Sequence, residues 1–152
     1  MNTFEKEKII SDKTESTEEA GASLARKITE NTALPHFIAL YGDLGVGKTA
    51  FVRGFTSVIA EKSTVRSPTF ALVNEYRGNK MSVFHFDMYR ITDEDDLYSI
   101  GFYDYLEQKN GICLVEWSEN IPYALPDSYF KVTIEKTDIE KPDERKILIE
   151  LI

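Results

Sequence analysis

Apolar residues recur every four positions at Ala20, Leu24 and Ile28, a spacing that predicts a helix with one buried face. Just ahead, Ser16-Thr17-Glu18-Glu19 has capping-box spacing, with Ser16 as the N-cap. Lys8-Ile9-Ile10-Ser11 reads as a short first strand. Phe37-Ile38-Ala39-Leu40-Tyr41 is apolar without interruption, the pattern of a strand covered on both faces. Helical spacing returns with Phe51, Val52, Phe55, Val58 and Ile59.

Ser67-Pro68 then breaks the chain before a strand over 70–76. Gly78-Asn79 supplies a turn, and Met81 to Met88 runs back, which predicts an antiparallel hairpin. Thr92-Asp93-Glu94-Asp95 offers an N-cap for a short acidic helix reaching Ile100, Gly101 interrupts it, and 102–108 reads as a second short helix. Ile112 to Trp117 is another buried strand. Phe130, Val132 and Ile134, then Ile147, Ile149 and Leu151, alternate with other residues and predict two final strands. Interleaved helices and strands predict an α/β fold with a mixed central sheet flanked by helices. No repeat or low-complexity linker divides the chain, so residues 1–152 are expected to form a single domain.

Composition adds limits to this picture. Of 152 residues, 42% are hydrophobic, which is ample for a core without disulfide or metal staples. The one cysteine, Cys113, lies in an apolar run and reads as a small buried residue, as expected in a reducing compartment. Met1 to Lys13 has the pattern of neither a signal nor a transit peptide, and no stretch approaches the ~20 apolar residues of a membrane span. A cytoplasmic location is expected. The net charge of −8 repels phosphate backbones, so any contact with nucleic acid is expected through a more basic partner.

The chemistry concentrates between the second strand and the second helix. Gly42-Asp43-Leu44-Gly45-Val46-Gly47-Lys48-Thr49 matches G-x-x-x-x-G-K-[ST], with Ala50 following in the helix. Backbone amides must converge on one concavity that side chains would crowd, which explains the glycines, and the helix N-terminus adds its positive end. Lys48 is the candidate for the β- and γ-phosphates and Thr49 for Mg²⁺, so the expected ligand is Mg·ATP. Asn79-Lys80-Met81-Ser82 lacks the final aspartate of a guanine-reading stretch, which favours ATP over GTP.

Two carboxylates close apolar strands: Asp87 after Phe84-His85-Phe86, and Glu116 after Ile112-Cys113-Leu114-Val115. One is expected to hold the metal and the other to orient the attacking water, with Glu116 preferred for metal and Asp87 for water. A turn acceptor ahead of Arg90 is the other reading of Asp87, and a surface strand end that of Glu116. Thr69 follows Pro68 where switch segments of nucleotide hydrolases supply a hydroxyl, and an ordinary strand start fits it as well. His85 shares the alternation parity of Asp87, though a histidine held in a hydrogen-bond network is the commoner case. Trp117 reads as core, or as a stacking residue for nucleotide or partner. The acidic run 93–96 reads as a solvated helix start.

Gly42 to Thr49, Ser67-Pro68-Thr69-Phe70, His85-Phe86-Asp87-Met88-Tyr89-Arg90 and Leu114-Val115-Glu116-Trp117 occur together in this order. In that combination the chain resembles the bacterial tRNA threonylcarbamoyladenosine biosynthesis ATPase family, TsaE, over roughly Lys8 to Ile152. The resemblance implies that Thr49 and Glu116 bind Mg²⁺, that Asp87 assists hydrolysis, and that Thr69 belongs to a switch-like loop. It also implies that Thr17 and Arg145 lie near the nucleotide. It further implies action with the threonylcarbamoyltransferase subunit TsaD and its companion TsaB on adenosine 37 of tRNA. The chain departs from the family pattern at Ser118, where proline is common, and at Asp143-Glu144, where glycine often precedes the late arginine. The competing function is a small-molecule kinase built on the same loop, but the six arginines are scattered and form no lid-like cluster.

Overall fold

The computed structural model describes residues 4–43, 45–68 and 71–152. Seven strands form one mixed sheet: β1 (Glu7–Ser11), β2 (Phe37–Tyr41), β3 (Val73–Arg77), β4 (Ser82–Asp87), β5 (Gly111–Glu116), β6 (Phe130–Asp138) and β7 (Lys141–Leu151). Their spatial order is β1-β7-β6-β2-β5-β4-β3. The inner four strands, β6-β2-β5-β4, are parallel to one another. Antiparallel partners close both sides, β7 and β1 on one and β3 on the other.

Strands β2, β4 and β5 are largely apolar because helices cover both faces, whereas β6 alternates. On one face, α1 (Thr14–Glu30) and α2 (Lys48–Ile59) bury Leu24, Ile28, Phe51 and Phe55 against Ile38, Leu40, Ile112 and Leu114. On the other, α3 (Glu94–Ser99), α4 (Phe102–Leu106) and two 3₁₀ turns (Ser118–Asn120 and Pro122–Ala124) cover Ala39, Phe84, Phe86 and Val115. The period-2 alternation therefore sorts each strand between two cores. It puts His85, Asp87 and Glu116, which share parity with Val83, Ile112 and Leu114, on the α1/α2 face.

Several local expectations are corrected. Helix α1 begins at Thr14 with Lys13 at the cap position, so Ser16 lies inside the first turn and makes no capping box. The Ser11 hydroxyl donates to the Lys13 carbonyl instead, which fixes the chain where β1 hands over to the helix. The N-cap expected within 92–95 does form: Asp93 caps the acidic helix α3, its carboxylate accepting the Asp96 amide. Strand β3 starts at Val73, since Leu72 has φ 69° and its amide donates to the Pro68 carbonyl; Phe70, the expected start of the strand, lies outside the described residues. Strand β5 stops at Glu116, since Trp117 adopts φ 58° and cannot continue the ladder.

Helices α1 and α2 cross at backbone distance. A Cβ on Gly54 would lie 1.8 Å from the Glu18 carbonyl oxygen, so only glycine fits. Gly54→Ala gains ~1 kcal/mol of helix propensity and forces the helices apart, for which overpacking costs of about 1–3 kcal/mol are typical. The expected outcome is a lower urea midpoint with an unchanged slope; an unaltered or higher midpoint would show that this crossing is not close-packed.

Candidate functional site

The glycine-rich segment joins β2 to α2 at the carboxyl end of the parallel strands, where open α/β sheets bind ligands. Gly42, Gly45 and Gly47 have φ of 146°, 77° and 109°, values that side-chain-bearing residues rarely adopt. At Gly42 space is also limiting, because a Cβ there would stand 2.5 Å from the Ile134 carbonyl oxygen. Gly47 is the N-cap of α2 and brings no side-chain acceptor. The first amides of α2, at Lys48, Thr49 and Ala50, thus have no intrahelical or capping partner, which suits an anion. Val46 is buried and pins the loop to the core, whereas Asp43 and Gly45 are exposed. Leu44 lies outside the described residues.

Lys48 is 5% exposed, with Nζ donating to the Gly42 carbonyl at 2.6 Å. The same ammonium sits 4.2 Å from the centre of the Trp117 ring, whose other neighbour is Tyr89. Trp117 is therefore a half-buried wall of the site that also packs against the core of the other face, and its left-handed backbone turns the indole toward the lysine. Left-handed non-glycine residues of this kind cluster at functional sites.

Asp87 and Glu116 are register partners at the ends of β4 and β5, buried to 5% and 6% exposure. Asp87 Oδ1 accepts the Tyr89 amide at 2.9 Å, so the turn-acceptor reading and the strand-end reading both hold. Glu116 is no surface strand end, because its Oε2 lies 2.5 Å from Nε2 of the fully buried His85. Thr49 stands one residue into α2 from Lys48, at the same end of the sheet. Among the described residues no three His, Cys, Asp or Glu side chains form a complete metal cage. A hydroxyl and one or two carboxylates beside a phosphate cradle are the oxygen set that Mg²⁺ takes with a nucleotide, so the residues fit that ion.

Two further residues reach the loop from a distance in sequence. Thr17, buried in the first turns of α1, shares a 2.8 Å hydrogen bond with Ser11, and its methyl would lie 3.7 Å from a Cβ at Gly47. Arg145 Nε donates to the Val46 carbonyl at 2.9 Å, and its Nη1 to the Pro142 carbonyl at 2.6 Å. Thr17, Gly45, Gly47, Ala50 and Arg145 all line one cavity of about 400 Å³ beside the loop. Arg145 sits within β7. Thr69 lies outside the described residues, and Arg90 is exposed. Cys113 is buried on the opposite face, where desolvation pushes its thiol up to about 12, which removes it as a nucleophile.

Sequence reasoning missed Tyr76, whose hydroxyl lies 3.4 Å from His85 Nδ1. Only the β3–β4 register brings them together, pairing Tyr76 with Val83 and Asn74 with His85. The available signal was parity: Asn74, Tyr76, Val83, His85 and Asp87 all alternate onto one face.

Comparison with known proteins agrees with this geometry. The sequence profile of the family described as "Threonylcarbamoyl adenosine biosynthesis protein TsaE" matches residues 11–147. The Haemophilus influenzae tRNA threonylcarbamoyladenosine biosynthesis protein TsaE is 41% identical over 101 residues, which are 66% of this chain and 63% of that protein. The Bacillus subtilis protein of the same name is 36% identical over 122 residues, 80% of this chain and 73% of that one. The crystal structure of Bacillus subtilis YdiB superposes with a TM-score of 0.71 at 27% identity, covering 98% of this chain and 87% of that one.

The hold of Arg145 on the loop carbonyls is open to a direct check. Arg145→Ala is expected to speed amide hydrogen exchange at 45–47 by about fivefold, the worth of one net hydrogen bond, with the core strands unaffected. Unchanged exchange in the loop would mean that Arg145 does not restrain it.

Proposed function

The chain belongs to the TsaE family, and from that premise we propose that it is a Mg²⁺-dependent ATP-binding and ATP-hydrolysing component of the machinery that makes N6-threonylcarbamoyladenosine at position 37 of tRNA. The observation that carries the reading is the coincidence at one sheet end of a glycine-lined amide cradle, buried Lys48, and the register pair Asp87 and Glu116. Amides from Gly45 to Ala50 hold the phosphates, and the Lys48 ammonium moves from the Gly42 carbonyl toward the β- and γ-phosphates. Thr49 and Glu116 hold Mg²⁺, which when bound draws charge from the transferring phosphoryl group. Asp87, fixed by the Tyr89 amide, orients the attacking water and takes up its proton. Thr17 and Arg145 belong to the nucleoside side of the site, where they line the adjoining cavity.

The partners under this reading are the threonylcarbamoyltransferase subunit TsaD and its companion TsaB. With a net charge of −8, the chain meets tRNA only through them. A cytoplasmic location follows from a tRNA-modifying role. Among the described residues no helix is long and apolar enough to cross a membrane. No observation favours the kinase alternative, since among the described residues no arginine-rich lid adjoins the loop.

The test is phosphate release from ATP by the wild type, Asp87→Asn and Glu116→Gln, each with and without the purified TsaD–TsaB pair. Slow release alone and faster release with the pair are expected. Asp87→Asn should keep Mg·ATP affinity and lose turnover by 10²-fold or more, on the order of a lost general base. Glu116→Gln should in addition lose the metal dependence of binding. Fast release that ignores the pair, or phosphoryl transfer to a small-molecule acceptor, would overturn the component reading.

A further inference from the structure

Behind Glu116 runs a buried chain of polar contacts that the hydrolytic reading does not use. His85 is fully buried between its neighbours on β3 and β5, and its Nε2 stands 2.5 Å from Glu116 Oε2. Its other ring nitrogen, Nδ1, faces the Tyr76 hydroxyl at 3.4 Å. That hydroxyl is anchored to the backbone of Arg66 in the α2–β3 connection: it accepts the Arg66 amide at 3.1 Å and shares its one proton between the Arg66 carbonyl, at 3.0 Å, and His85 Nδ1. Asn74 Nδ2 donates to the same carbonyl at 3.0 Å. The row crosses three strands, from the metal side of β5 through β4 and β3.

Burying an imidazole and a carboxylate side by side in an apolar sheet face is costly, and each needs its partner. A leucine at either place would pack without that cost, so simple stability does not call for the pair. A carboxylate with free rotamers would also be a poor ligand, since it must be ordered each time a cation arrives. We propose that His85 is a positioning residue that sets the orientation of Glu116 for Mg²⁺, and that Tyr76, tied to the Arg66 backbone, holds the imidazole in place. This rests on the reading that Glu116 meets Mg²⁺ beside a bound nucleotide. Groups one bond behind a metal ligand govern affinity in this way elsewhere, typically by 10- to 100-fold. Tyr76 and His85 thus also connect the metal side of the site with the α2–β3 connection through one unbroken set of contacts.

The experiment measures binding of a non-hydrolysable ATP analogue by calorimetry, first in EDTA and then across a Mg²⁺ titration. It compares the wild type with His85→Leu, His85→Gln and Tyr76→Phe. The Mg²⁺ concentration for half-maximal tightening is expected to rise roughly 10- to 100-fold in His85→Leu, with analogue affinity in EDTA unchanged. His85→Gln returns an N–H near the Nε2 position and should recover most of the loss. Tyr76→Phe keeps the ring packing and should shift the midpoint about fivefold, the worth of one hydrogen bond. If His85→Leu does not fold, His85→Gln and Tyr76→Phe decide the matter between them. Wild-type Mg²⁺ midpoints in the folded variants, or equal losses with and without Mg²⁺, would overturn the positioning role. A wild type that binds the analogue with no response to Mg²⁺ would sink the metal reading itself, and this proposal with it.

Discussion

Three ionisable side chains, Lys48, Asp87 and Glu116, are buried together at the carboxyl end of one parallel sheet. Such groups are expensive to remove from water unless each is hydrogen-bonded in place, and that cost shapes the surroundings. Lys48 is met by the Gly42 carbonyl and the Trp117 ring, Asp87 by the Tyr89 amide, and Glu116 by His85. The left-handed backbone of Trp117 and the open amides of α2 are tied to the same cluster. A fold optimised for stability alone would fill this end with leucine. The arrangement instead suits the anion and cation of the proposed Mg·ATP ligand.

The scaffold makes that arrangement affordable. Two helices cover one sheet face and shorter elements the other, so β4 and β5 are buried along their whole length and held by ladder hydrogen bonds on both sides. Strand register, rather than side-chain flexibility, sets Asp87 beside Glu116. The close crossing at Gly54 holds α2, and so Lys48 and Thr49, at a fixed depth over the sheet. Arg145 reaches across from β7 to restrain the loop from the far side.

Much of this was legible in the sequence because it depends on local pattern. The apolar strand, the glycine loop and the amphipathic helix are consecutive, and the motif states its own context. The parity of His85 with Asp87, and of Leu114 with Glu116, already put these side chains on one face. What stayed hidden depends on non-local pairing. Nothing local says that β6 lies beside β2 or that β1 pairs with β7, and the Tyr76–His85 contact requires the hairpin register. Whether Trp117 is core or a stacking residue stayed open in the sequence, because its positive φ, a backbone property, is what turns it onto Lys48. The Ser16 capping box failed because Ser11 and Lys13 already closed the turn that starts α1 three residues earlier.

The central claim is that Lys48 and its loop form a Mg·ATP site on a folded scaffold, and thermal unfolding with and without nucleotide tests it most directly. At a hundredfold excess over the dissociation constant, Mg·ATP should stabilise the wild type by about 2.7 kcal/mol, because it binds only the folded chain. Lys48→Ala should fold and lose nearly all of that gain. Equal stabilisation of both proteins by Mg·ATP, or none of the wild type, would contradict the account.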